Sequence, residues 1–105
     1  MAGEAVPEPV KWLGRVSKEL MEAFMGLRAS AQKPVRLSRR EKRLALVVAY
    51  ASVGCVKCLV GCLKEGMREG ISLEELLEAA SLSVLVRGAE GVMTVNEALK
   101  LLTNT

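Results

Sequence analysis

Serine followed three residues later by glutamate occurs twice, at Ser38/Glu41 and Ser72/Glu75, each time directly ahead of an apolar stretch. That spacing is a capping box: the serine oxygen accepts the backbone N–H of the glutamate, whose carboxylate reaches back to the serine N–H. Two such helix starts, with no segment alternating apolar and polar residues at period two, restrict the chain to an all-α fold. The first box opens a helix over about 39–53, carrying Leu44, Ala45, Leu46, Val47, Val48, Ala49 and Ala51. It is apolar on almost every side past its first turn, which predicts burial on most of its surface, with Leu44, Val47, Val48 and Ala51 inside. Gly54 breaks it, and another helix runs from near Cys55 to about Glu69. Gly70 stands where a helix-ending glycine belongs. The second box starts a helix over about 73–87. Gly88 and Gly91 mark a bend or a close helix approach, and a last helix covers about 92–102.

Upstream, Trp12, Leu13, Val16, Leu20, Phe24 and Leu27 recur at three- and four-residue steps and predict one amphipathic helix from Val10 to about Ala31, stopped by Pro34. Residues 1–9, with Gly3, Pro7 and Pro9, read as a flexible leader. The expected organisation is therefore a leader over 1–9 and one helical domain over 10–105, a single-domain bundle. Half of the chain is hydrophobic but only 3% is aromatic, so the core is aliphatic. The chain has no Asp, no His, two Asn and one Gln, and its polarity is carried by Glu, Lys and Arg. Such depletion of thermolabile amides fits a hot-environment protein.

The net charge of +3 conceals a basic cluster of Arg28, Lys33, Arg36, Arg39, Arg40, Lys42 and Arg43, set against Glu41 alone. A solvated surface explains it better than a nucleic-acid site, because no aromatic residues are interleaved to stack on bases. Neither a signal peptide nor an apolar run long enough to span a bilayer is visible, and the expected location is cytoplasmic, with no membrane or nucleic-acid partner.

Three cysteines in a reducing compartment point to redox or metal chemistry rather than a disulfide framework. In Gly54-Cys55-Val56-Lys57-Cys58-Leu59-Val60-Gly61-Cys62, a helix turning roughly 100° per residue puts all three sulfurs on one face. Zinc fits poorly, since a structural site wants four ligands and the chain offers three Cys and no His. No metal or other cofactor is expected. Cys55 and Cys58 lie one turn apart at a helix start, where unpaired N–H groups and the helix dipole favour thiolate over thiol. Thiolates so placed attack peroxides or disulfides, and a partner thiol resolves the product. Cys62, one turn further on, suits a packing role equally well.

The stretch LSRREKRLALVVAYASVGCVKCLVGCLKEGMREGISLEELLEAA, from Leu37, resembles the core of the carboxymuconolactone decarboxylase and alkylhydroperoxidase-D family. The likeness extends over about 37–102. It rests on the charged capping turn, the apolar helix ending in Gly-Cys, the C-x-x-C, and Ser72-Leu-Glu-Glu-Leu-Leu-Glu. It implies a helical bundle assembling as trimers or hexamers. Peroxidase-type members carry C-x-x-C-x-x-x-His with a Glu one helix earlier, a proton relay to the second cysteine, which attacks the peroxide while the first resolves it. Carried over, Cys58 attacks and Cys55 resolves. Two positions depart: Cys62 stands at the His, and Arg43 at the Glu twelve residues before Cys55, with Glu41 nearby on another side of the helix. Bottom-up, Cys55, nearest the helix start, is the more acidic thiol; the resemblance names Cys58. The candidate site is thus Cys55, Cys58 and Cys62, with Arg43 and Glu41 as candidate proton-relay or thiolate-stabilising groups. The expected function is thiol-based peroxidase or disulfide reductase activity, supplied by a protein or small-thiol reductant. The alternatives are a lactone decarboxylase, for which Arg43 is a carboxylate anchor but no His or Asp moves protons, and a non-catalytic homo-oligomer with incidental cysteines.

Overall fold

A computed structural model describes residues 6–104. Among them the regular elements are a 3-10 turn Glu8–Val10 and the helices α1 Lys11–Val16, α2 Lys18–Gln32, α3 Arg39–Val53, α4 Val56–Arg68, α5 Leu73–Ser81, α6 Ser83–Arg87 and α7 Ala89–Thr103, with no strand. The fold is all-α, as the two capping boxes require. Contacts divide the chain into two compact units, Met1–Val35 and Arg36–Thr105. Residues 1–5 of the expected leader lie outside the described residues; Glu8–Val10 forms the 3-10 turn.

In the first unit, the single helix expected from Val10 to Ala31 is two. Ser17 is extended (φ −163°, ψ 146°), and its hydroxyl accepts the Leu20 N–H at 2.9 Å, capping α2. A serine that caps an N-terminus competes with continuation of the preceding helix, and periodicity of apolar residues does not register that competition. The stripe Leu20, Phe24, Leu27 lies on one face of α2 and is exposed.

The second unit is built on a helical hairpin. Both capping boxes form, Ser38 with Glu41 and Ser72 with Glu75. Between α3 and α4 the chain reverses in two residues. Gly54 adopts φ +79°, and the N–H groups of Gly54 and Cys55 both donate to the Tyr50 carbonyl at 3.1 Å. At the other end of α4, Gly70 (φ +91°) donates to Met67 O and Ile71 donates to Gly66 O, each at 3.0 Å. This pair of bonds is a Schellman motif, and it turns Ile71 into the core. There Ile71 joins Val47, Ala51, Leu59, Leu63, Leu76, Ala80 and Ala98.

Of the four α3 residues expected inside, Val47 and Ala51 are buried, while Leu44 and Val48 are half-buried. Ala45, Ala49 and Val53 are exposed, so α3 is less enclosed than its composition suggests. Leu44, Ala45 and Val48 line a groove of about 490 Å³ together with Glu75, Glu78, Ala79 and Leu82.

The helix expected over 73–87 divides at Leu82. Its backbone stays helical (φ −65°, ψ −21°), but the bonds shorten to i→i+3 spacing, Leu82 N–H to Ala79 O and Leu85 N–H to Leu82 O. Gly91 is the close approach expected of it: a methyl there would lie 2.8 Å from Ser83 Oγ and 3.1 Å from the Ser83 carbonyl. Gly61, by contrast, has nothing within 4 Å of where a methyl would go.

Two Gly→Ala substitutions should therefore have opposite signs. Gly91→Ala forces α7 off the Ser83 backbone and should cost about 1–3 kcal/mol. Gly61→Ala adds helix propensity on an open face and should gain up to about 1 kcal/mol. Urea denaturation of both variants beside the parent checks this, and equal signs would contradict the packing described.

Candidate functional site

The reversal at Gly54 makes Cys55 the N-cap of α4 and puts Cys58 in its first turn. The two are joined as a disulfide with Cα atoms 5.3 Å apart, inside the range such bonds span. Cys55 is half-buried and Cys58 exposed. The Cys55 side chain makes no capping hydrogen bond, so no side chain of the N-cap satisfies the first-turn N–H groups of α4.

Cys62 is separate from the pair: it is a free thiol, 2% exposed, within the core cluster. Its neighbour is Arg43, whose Nη1 lies 3.7 Å from Cys62 Sγ. Arg43 is itself buried, and its guanidinium grips Glu69 by two bonds of 3.0 Å, Nε to Oε1 and Nη2 to Oε2. Arg39 adds a third bond to Glu69 at 3.3 Å. This fork-to-fork pair is the strong geometry for an arginine–carboxylate contact. The hydrogen bonds and charge of Arg43 hold the Glu69 carboxyl below the ordinary value of 4.5. The bond to Glu69 in turn raises Arg43, so its charge is permanent. Burial pushes the Cys62 thiol up, outweighing the lowering by Arg43. Cys62 is accordingly a protonated thiol near neutrality.

The five candidate residues thus fall into three places. Cys55 and Cys58 form the pair at the α4 start. Arg43 and Cys62 meet one turn further along α4, about 6 Å past Cys58. Glu41 is spent at the α3 start, its Oε1 accepting the Ser38 N–H at 2.8 Å, and these capping bonds lower its pKa. From Glu41 to Val53 is about 18 Å along the helix axis, so Glu41 belongs to the end of α3 remote from the cysteine turn.

Glu69 was legible only as a helix end; its pairing across 26 residues leaves no local spacing to read. The basic cluster is partly paired within the chain: Arg43, buried, and Arg39, exposed, bond to Glu69, and the exposed Arg40 pairs with Glu75. Among the described residues, no three acidic or cysteine side chains converge as metal ligands, and no helix is long and apolar enough to cross a membrane.

An all-α unit with a cysteine pair at the start of its second hairpin helix defines a class, and the comparisons agree with it. The model of the carboxymuconolactone decarboxylase family matches residues 18–101, and the chain belongs to that family. The match begins at the first residue of α2, so the first unit's long helix is part of the family pattern, not only the stretch from Leu37. The chain is also similar to "Uncharacterized protein 4 in cox locus" of Paracoccus denitrificans, 28% identical over 105 residues, covering 97% of this chain and 95% of that one. No solved structure gives a significant match.

Removing one partner of the Arg43–Glu69 pair should be felt in stability and in its pH dependence. Glu69→Gln leaves a buried guanidinium without its carboxylate and should cost about 2–3 kcal/mol at pH 7, less than a fully buried pair because Glu69 keeps some solvent. A carboxyl lowered on folding contributes stability that is fully present above its unfolded value of about 4.5 and is lost as pH falls through its folded value. Denaturation curves from pH 7 to 3 should show a shallower acid loss in Glu69→Gln than in the parent, with the share due to Glu41 retained.

Proposed function

We propose that the chain is a thiol–disulfide oxidoreductase cycling Cys55 and Cys58, within the broader expectation of a thiol-based peroxidase or disulfide reductase. The observation that carries the reading is the placement of one cysteine at the N-cap and the other in the first turn of α4, paired, with Cys58 open to solvent. Exposure favours Cys58 for the first attack. Its thiolate attacks one sulfur of a substrate disulfide, that S–S bond breaks, and the departing thiolate takes a proton from solvent. Cys55, as thiolate, then attacks Cys58 in the mixed disulfide and releases the second thiol. Two electrons pass from the pair to the substrate, leaving the Cys55–Cys58 disulfide. A small thiol or a protein dithiol restores the pair, and a reducing compartment, the cytoplasm, suits such a cycle.

Disulfide exchange is preferred to peroxide reduction because the relay positions hold no base. Cys62 keeps its proton, and Arg43 is tied to Glu69. Lactone decarboxylation is disfavoured on the same ground, since the arginine suited to anchor a carboxylate already holds one.

The test is dithiothreitol-driven reduction of a small aromatic disulfide. Cys55→Ser and Cys58→Ser should each lower turnover about tenfold or more, and Cys55→Ser should trap a mixed disulfide on Cys58, visible by mass spectrometry. Turnover unchanged in both variants would make the cysteines incidental to a non-catalytic module. Hydroperoxide turnover faster than disulfide turnover would restore the peroxidase reading.

Association of identical copies, as trimer or hexamer, belongs to the same proposal. Its support is the apolar surface the lone chain leaves open: Leu20, Phe24 and Leu27 on α2, and Leu82, Val84, Leu85 and Val86 at α6. Light scattering at micromolar concentration should give a multiple of the 11.3 kDa chain mass; a monomer would refute it.

A further inference from the structure

Arg87 is the last residue of α6, and its guanidinium crosses to the end of α3. Nη1 donates to the Ser52 carbonyl at 2.8 Å, and Nη2 pairs with Glu90 in the first turn of α7. Ser52 lies in the last turn of α3, where carbonyls lack partners within the helix and a cation is favoured by the dipole. The same Nη1 would stand 4.0 Å from a methyl placed on Gly54, and Thr94 Oγ1 3.9 Å from it. Gly54 is followed by Cys55, whose Cα is about 3.8 Å further along the chain. The cation therefore lies within roughly 10 Å of the cysteine turn, inside one Debye length at ordinary salt.

Other charges of the second unit are few at this end. The charged residues of α3 occupy only its first five positions, and of these Arg43 alone reaches back along α4, to Cys62, while bound to Glu69. On α4 the near charge is Lys57; Lys64, Glu65 and Arg68 lie two turns or more beyond it. Glu75 of α5 is drawn to Arg40 at the far end, and Glu74 and Glu78 sit on the same short helix. On α7 the near charge is Glu90, with Glu97 and Lys100 about 10 and 15 Å further along the axis. Lys57, Arg87 and Glu90 are thus the charges at the turn itself; one turn further along α4 the Arg43 guanidinium reaches Cys62 and is neutralised by Glu69.

We propose that Arg87 is a positioning residue of the cysteine pair: its guanidinium pins the turn that carries Cys55 and, balanced by Glu90, sets how readily the pair ionises. The inference rests on the redox reading above. Its content is a pair of opposed charges. Arg87 favours a thiolate, and Glu90 offsets that effect by neutralising the guanidinium without touching the Ser52 carbonyl.

The experiment is site-resolved alkylation of the reduced full-length chain against pH, read by mass spectrometry, so that Cys55, Cys58 and Cys62 titrate separately. Arg87→Gln should raise the lower thiol pKa of the pair by about half a unit, and Glu90→Gln should lower it by a similar amount, both shifts shrinking in 1 M salt. Arg87→Lys, which keeps the charge, should stay near the parent. Loosening of the turn would move Arg87→Gln and Arg87→Lys together and would not give Glu90→Gln the opposite sign. Shifts of one sign in both neutralising variants, or no shift in either, would overturn the proposal. The alkylation profile needs no turnover, so the two ideas fail separately. Loss of the opposed shifts with turnover still dependent on Cys55 and Cys58 removes the role of Arg87 alone. Turnover indifferent to both cysteines removes the redox reading.

Discussion

Everything that distinguishes the second unit follows from how the chain reverses after α3. Gly54 takes a left-handed conformation that a residue with a Cβ enters at a cost of about 1 kcal/mol. Two consecutive N–H groups then share the Tyr50 carbonyl, and Cys55 is delivered to the N-cap of α4. A longer connection would leave α4 free to begin elsewhere. A two-residue one fixes which residue caps it and thereby places Cys58 one turn in. It also lays α4 back along α3, so Leu59, Leu63 and Val47 close into one core.

The same hairpin brings Arg43 to Cys62 and explains why the two departures from the peroxidase motif occur together. A glutamate and a histidine at these positions would exchange protons. An arginine cannot, because its charge is permanent, and it needs a carboxylate once buried. Glu69 supplies it from the C-cap of α4, where the Schellman motif holds the chain end against α3. With a cation at one position, a small uncharged thiol at the other introduces no second charge to bury. The relay positions are part of the framework here, and in the proposed cycle the chemistry falls to the first turn of α4.

The helix starts at Ser38 and Ser72, the glycine breaks at Gly54 and Gly70 and the close approach at Gly91 were all legible, because each depends on residues within a few positions of one another. Ser17 was equally local and still escaped, since the apolar period runs through it and only the hydroxyl bond to Leu20 reveals the break. The division at Leu82 had no signal at all: its dihedrals are helical, and only the hydrogen-bond partners change. At the site, the cysteine pair and its position on the helix could be read from spacing. Glu69 and Arg87 could not, for their partners lie 26 and 35 residues away and depend on which helix ends meet. The family resemblance supplies what spacing lacks, since it sets Arg43 and Cys62 at the two positions of one relay, and the two side chains do meet.

The polar groups of the second unit are sorted to opposite ends of the α3–α4 hairpin. At the closed end, where α3 runs into α4, stand the cysteine pair, Arg87 and Glu90. At the open end stand Arg39, Arg40, Arg43, Glu69 and Glu75. Between them lie Val47, Ala51, Leu59 and Leu63, all but closed to solvent. Cys62 sits in this middle and meets the open end through Arg43, whose Nη1 is 3.7 Å from its sulfur, while the aliphatic side chains around it offer no hydrogen-bonding group toward the pair. What does connect the ends is rigidity, because close-packed side chains transmit displacement though not protons. The ion pair at the open end therefore touches Cys62 directly and supports the cysteine pair by holding α3 and α4 in register, whereas charges at the closed end stand beside the turn that carries the pair.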